Sequence, residues 1–183
     1  MRLRNILILV VILAVLAGVF YYFNRPVPAP EKKPQLYVWL IEMEDITHIK
    51  ILLPREDLSQ SFAKAPDRSW RFDDPEQTPV DMKRWGGGIP LLLSGPGLNR
   101  VITENAPAEK LVEFGLTRPR MEVILTLNNG EIIDITVGDS TPDGSNFYVQ
   151  VPDSNAVATV DISWYQVIER LVKEPPYVPA SEK

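Results

Sequence analysis

The spacing of hydrophobic positions changes along this chain. From Ile6 to Phe23 no residue is charged and the apolar run has no polar face. Further on, ITHIKILL at Ile46 to Leu53 alternates, with Ile49, Ile51 and Leu53 on one face and His48 and Lys50 on the other. That period of two predicts a strand buried on one side. Near the end, Trp164, Val167, Ile168 and Leu171 recur at helical spacing behind Asp161, a good capping residue.

The same reading places the remaining elements. Leu36 to Ile41 is apolar and aromatic and reads as a strand. Ser61 to Ala65 and Ser69 to Phe72 read as short strands around a turn at Pro66-Asp67. Thr78 and Pro79 look like the cap and first position of a helix that Gly86-Gly87-Gly88 and Pro90 interrupt. Leu91-Leu92-Leu93 follows, bounded by Ser94-Gly95-Pro96-Gly97. Arg100 to Thr103 is a strand. Asn105 opens a short helix through Phe114 that stops at Gly115, with Leu116 folding back on Leu111. Met121 to Leu127 and Glu131 to Val137 flank Asn128-Asn129-Gly130, a strong hairpin signal. Phe147 to Val151 and Ala156 to Val160 complete the strands. The order strand, strand, strand, helix recurs, so two similar βββα halves are a candidate duplication. The expected class is α+β: an N-terminal transmembrane helix, then a mostly antiparallel sheet with short helices.

Four segments follow: a cytoplasmic stub and anchor at 1–24, a proline-rich linker at 25–35, an α+β domain at 36–173 and an extended tail at 174–183. An uncharged helix of about 18 residues rises about 27 Å, near the thickness of the hydrocarbon core. Ile6, Leu9, Leu13, Leu16, Phe20, Tyr21 and Tyr22 are the side chains expected to meet lipid, the tyrosines at the interface. Arg2 and Arg4 would stay cytoplasmic, leaving the domain outside a bacterial cytoplasmic membrane. The competing reading is a signal peptide cleaved after Val15-Leu16-Ala17, which would leave the very apolar Gly18-Val19-Phe20-Tyr21-Tyr22-Phe23 as a new terminus. The linker RPVPAPEKKP favours polyproline II and would hold the domain some 30 Å from the bilayer.

Composition narrows the chemistry. The 183 residues carry 19 Lys and Arg against 24 Asp and Glu, a formal net charge of -5. An acidic body suits neither nucleic acid nor an anionic lipid surface. Without cysteine there is no disulfide, iron–sulfur cluster, thiol nucleophile or covalently attached haem. The single histidine, His48, cannot build a Cys/His zinc site, and no G-x-S-x-G elbow is present. No catalytic residue, cofactor or metal is therefore expected.

The run LVEFGLTRPRMEVILTLNNGEIIDITVGDSTPDGSNFYVQV resembles the domain-of-unknown-function family numbered 4340. The matching features are Gly115-Leu116, Pro119, Asn129-Gly130, Gly138-Asp139 and Tyr148-Val149. SWRFDDP, with Trp70 and Pro75, resembles that family's earlier tryptophan strand, while Gly86-Gly87-Gly88 departs from its uninterrupted helix. The resemblance implies a membrane-anchored, extracytoplasmic bacterial protein, of the kind associated in some members with transport or gliding. It implies no activity.

Candidate sites are few. His48 needs a partner, and its neighbourhood offers only Glu44 and Asp45. Glu42, Glu44 and Asp45, or Asp139 and Asp143, lack calcium-loop spacing. The glycine triplet lacks the lysine and hydroxyl of a phosphate loop. Trp39, Trp70, Trp85 and Trp164 are core residues or a groove, with Trp85, beside the glycines, the expected exposed partner contact. These features point to a non-catalytic accessory subunit docking on a larger transport, envelope or electron-transfer complex. The alternatives are a module binding a ligand or envelope polymer and, more remotely, a carboxylate-based hydrolase.

Overall fold

The computed structural model describes residues 3–23, 37–86 and 88–179. The chain divides into two compact units, Met1–Pro34 and Gln35–Lys183. In the first, helix α1 covers Leu3–Phe23, 21 residues. Its described side chains, Leu7 and Val11 to Tyr22, are all exposed. Leu13, Leu16, Phe20, Tyr21 and Tyr22 are among them, whereas the side chains of Ile6 and Leu9 lie outside the described residues. Among the described residues no helix is long and apolar enough to cross a membrane. The linker expected at 25–35 and the end of the tail, 180–183, also lie outside the described residues.

The second unit is built on one eight-stranded antiparallel sheet. Its strands are β1 (Ile46–Leu53), β2 (Leu58–Lys64), β3 (Trp70–Phe72), β4 (Arg100–Thr103), β5 (Met121–Leu127), β6 (Ile132–Ser140), β7 (Asn146–Gln150) and β8 (Val157–Asp161). They lie in the order β3-β2-β1-β5-β6-β7-β8-β4. Two meanders thus meet where β1 pairs with β5, Ile49 opposite Leu125 and Ile51 opposite Val123. The second meander has four strands and β4 pairs beyond it with β8, so the two halves are not the equal βββα units expected.

Alternation sorts the strand residues into two faces. Ile49, Ile51, Phe62, Val123, Leu125, Ile135, Val137 and Val149 are completely buried in the main core. Helix α5 (Ile162–Lys173) crosses that face against β1, β2, β7 and β8. Asp161 caps it, accepting the Ser163 amide at 2.7 Å. Trp164, Ile168 and Leu171 point inward as expected, joined by Tyr165 and Val172, while Val167 stays on the rim. On the opposite face Phe114, Leu116, Ala106 and Val157 form a smaller cluster beneath helix α4 (Ala108–Glu113).

Three local expectations need correction. Residues 38–41 are not a strand: the segment lies along helix α3 (Ile89–Ser94), Ile41 donating to the Ser94 carbonyl at 2.8 Å, with Tyr37 bridging Gly97. Helix α2 is shorter than predicted, Met82–Trp85, and its cap is Asp81, not Thr78. Pro79 and Val80 are instead held in bridges to Arg71 and Tyr177. Helix α4 begins after Pro107, and Asn105 does not cap it.

Candidate functional site

The second-half motif residues converge at one point. Helix α4 ends in a Schellman turn: Gly115, at φ 72°, donates to Val112 at 3.0 Å, and Leu116 donates to Leu111 at 2.9 Å. The carbonyl of Phe114, the residue that caps α4, accepts the Asp139 amide at 2.8 Å. A Cβ on Gly138 would collide with the Phe114 carbonyl, and one on Gly115 with the Asp139 carboxylate. The two glycines therefore allow β6 to press against the end of α4.

Arginines close the junction. Asp139 Oδ1 accepts from Arg55 at 2.8 Å and from Arg120 at 2.9 Å. Arg55, in the turn between β1 and β2, also donates through Nε and its second terminal nitrogen to the Arg118 carbonyl, at 2.8 and 2.6 Å. Partial burial acts to raise the Asp139 carboxyl, but the hydrogen bonds and charges of Arg55 and Arg120 outweigh it and hold it below the usual aspartate value. A carboxylate so engaged is a weak base, so the cluster is a fastener rather than an acid–base pair. A cavity of about 360 Å³ adjoins it, lined by Arg55, Val112, Gly115, Thr117, Arg118 and Asp139. Sequence reasoning reached Gly115, Gly138 and Asp139 but missed Arg55, which lies 84 residues from Asp139 and in no local pattern.

Trp85 is not an exposed contact. It is 1% exposed, with ring centroids 4.8 Å from Phe62 and 5.5 Å from Trp70. Gly86, left-handed at φ 66°, ends α2 just after it and turns the chain away while the indole goes into the core. Trp39 and Trp164 form an edge-to-face pair at 5.9 Å, and their indole N–H groups donate to Leu93 and Leu92 of α3. All four tryptophans are core residues.

His48 of β1 pairs with Asp73, the residue after β3, at 3.0 Å, and not with Glu44 or Asp45. Asp45 instead accepts from the Asn128 side chain at 2.7 Å. Asp143 is tied into its own turn: the Thr141 and Ser145 hydroxyls and the Ser145 amide bring its carboxyl down to about 2. Among the described residues no group of three or more His, Asp or Glu side chains is placed to hold a metal. A cavity of about 560 Å³ lies between Asp134, Thr136 and Gln150 on the sheet and the loop Val151 to Asn155. Its lining is mostly polar, unlike the apolar pocket of a typical small-molecule site.

No curated protein and no solved structure matches this chain. A family model does match, from the end of α3 into α5, a stretch containing the five strands that lie side by side from β5 to β4, with α4 and the junction at Asp139. Residues 93–170 match the model of the family described as Domain of unknown function (DUF4340), the family that the Gly115-Leu116 and Gly138-Asp139 motifs resemble.

Proposed function

We propose that this protein is a non-catalytic, single-pass accessory subunit. In this reading α1 tethers it to the bacterial cytoplasmic membrane, and its α+β domain lies outside and docks on a larger membrane complex. One observation carries the reading. Helix α1 belongs to a different compact unit from the domain, and its described side chains, from Val11 to Tyr22, are all exposed and almost all apolar. Such a helix is stable in water only if lipid or protein covers it. The uncharged run from Ile6 to Phe23 behind Arg2 and Arg4 supports lipid, with the N-terminus in the cytoplasm. The test is purification of the full chain from membranes in mild detergent. The reading expects the chain to resist alkaline carbonate extraction and to co-purify with defined partner subunits in fixed ratio. Recovery in the aqueous fraction, or of this chain alone, counts against it.

A second reading has one specific observation in its favour. The polar cavity below the Val151 to Asn155 loop is large enough for a monosaccharide-sized ligand, as an envelope-polymer-binding module would need. Titration of the detergent-solubilised chain with envelope saccharides, compared with Asp134→Ala, tests it. Saturable binding lost in the variant would favour this module over the docking subunit.

A further inference from the structure

The registers of β1, β5 and β6 order the side chains on the sheet face turned away from α5. Lys50 lies opposite Ile124, and Ile124 opposite Asp134. Leu52 lies opposite Glu122, and Glu122 opposite Thr136. His48 lies opposite Thr126, and Thr126 opposite Ile132. Where water covers one side of an antiparallel sheet, that side is ordinarily polar. Leu52, Ile124 and Ile132 depart from this, and they are aligned. Each is the diagonal neighbour of the next from strand to strand, at a spacing of about 7–8 Å, so they form one apolar stripe across the face. Ile132 is 63% exposed, and Leu52 and Ile124 are half-buried.

Charge sorts to the two sides of that stripe. Lys50 and His48 lie on one side, Glu122 and Asp134 on the other. His48 is taken up by Asp73, whereas the side chains of Lys50, Glu122 and Asp134 have no hydrogen bond or ion pair among the described residues. A face with an apolar line down its middle, a base on one flank and acids on the other is complementary to itself. A half-turn about the line of the stripe lays the stripe of a second copy on the first and sets Lys50 of each copy against the acidic flank of the other. Both signs on one face favour a like face over a uniformly charged partner. Strand β2 adds only Ser59, Ser61 and Ala63 to this face, side chains too small to hold a second sheet away.

We propose that two copies of this chain meet through the open face of β1, β5 and β6. Leu52, Ile124 and Ile132 lie along the twofold axis, and Lys50 pairs across it with Glu122 and Asp134. Pairing through this face needs only the domain, so it goes beyond the tether reading and does not rest on it.

The chain has no cysteine, so one introduced thiol reports on one position. Residues on the axis face their own counterparts. Ile132→Cys in the full, detergent-solubilised chain should therefore be joined copy to copy by a short bismaleimide, and Leu91→Cys, exposed on α3, should not. In the Ile132→Cys background, Ile124→Ser, Lys50→Glu and Glu122→Lys/Asp134→Lys should each lower the joined fraction several-fold. Mixing the Lys50→Glu chain with the Glu122→Lys/Asp134→Lys chain in equal amounts should restore it, because acids then meet bases on both flanks. Joining no greater than that of Leu91→Cys overturns the proposal. So does joining that persists in both charge variants alone, which places the contact elsewhere, or a mixture that fails to recover when both variants keep wild-type urea midpoints. Recovery of the chain in the aqueous fraction removes the tether reading and leaves this test in force.

Discussion

The amide of Asp139 meets the carbonyl of Phe114 at 2.8 Å, joining strand β6 to the end of helix α4. Gly138, the residue before Asp139, leaves no room for even a methyl group beside that carbonyl. Gly138→Ala must therefore push backbone against backbone, and overpacking of this kind costs about 1–3 kcal/mol. Gly115→Ala faces a strained φ as well as the Asp139 carboxylate. Gly130→Ala has a positive φ but open space, so its cost stays near 1 kcal/mol. Urea unfolding of the full chain in detergent should place Gly138→Ala and Gly115→Ala clearly below Gly130→Ala.

The arginine clamp predicts a particular acid response. The folded Asp139 carboxyl titrates below its unfolded value. Between those two values the unfolded chain binds more protons, so stability rises with pH. The contribution is complete above about pH 4, the ordinary aspartate range, and disappears as pH falls through the folded value. Asp139→Asn should flatten that acid limb when urea midpoints are compared from neutral to acidic pH. An unchanged slope would show that the clamp does not couple to folding.

Burial of Trp85 separates a packing role from a partner role. Trp85→Ala empties a site between Phe62 and Trp70 and should cost about 3–5 kcal/mol, with Trp85→Phe costing less. Retention of any co-purifying subunit should follow the folded fraction alone. Loss of partner with wild-type thermal stability would restore Trp85 as a contact.

Asp161 fixes where α5 starts. Asp161→Ala removes the acceptor of the Ser163 amide and should lower stability by about 1 kcal/mol, measured by urea unfolding. Asp161→Asn, which can still cap, should lose less.

Local signals carried the second half of the fold. The NNG turn with its flanking strands, the Gly115 stop and the Asp161 cap are all set by neighbours a few residues away, and each stands where the pattern placed it. Where the sequence reading failed, a distant partner decided. Residues 38–41 had strand composition, but their backbone hydrogen bonds go to Ser94 and Pro96 on and just after α3. Thr78-Pro79 had the form of a helix start, but Arg71 and Tyr177 hold the adjoining backbone extended. The clamp was half legible: glycine and aspartate motifs mark its two walls, whereas Arg55 and Arg120 carry no periodic signature.

The position of β4 sets the timetable for assembly. Arg100–Thr103 is made before β5, yet its neighbour in the sheet is β8, the last strand to be synthesised. A growing chain therefore carries this segment without its sheet neighbour until β8 has emerged, and termination before β8 would both remove α5 and leave β4 unpaired. Truncations that remove β8 should accordingly behave as folding defects of the entire sheet rather than as trimmed but working domains.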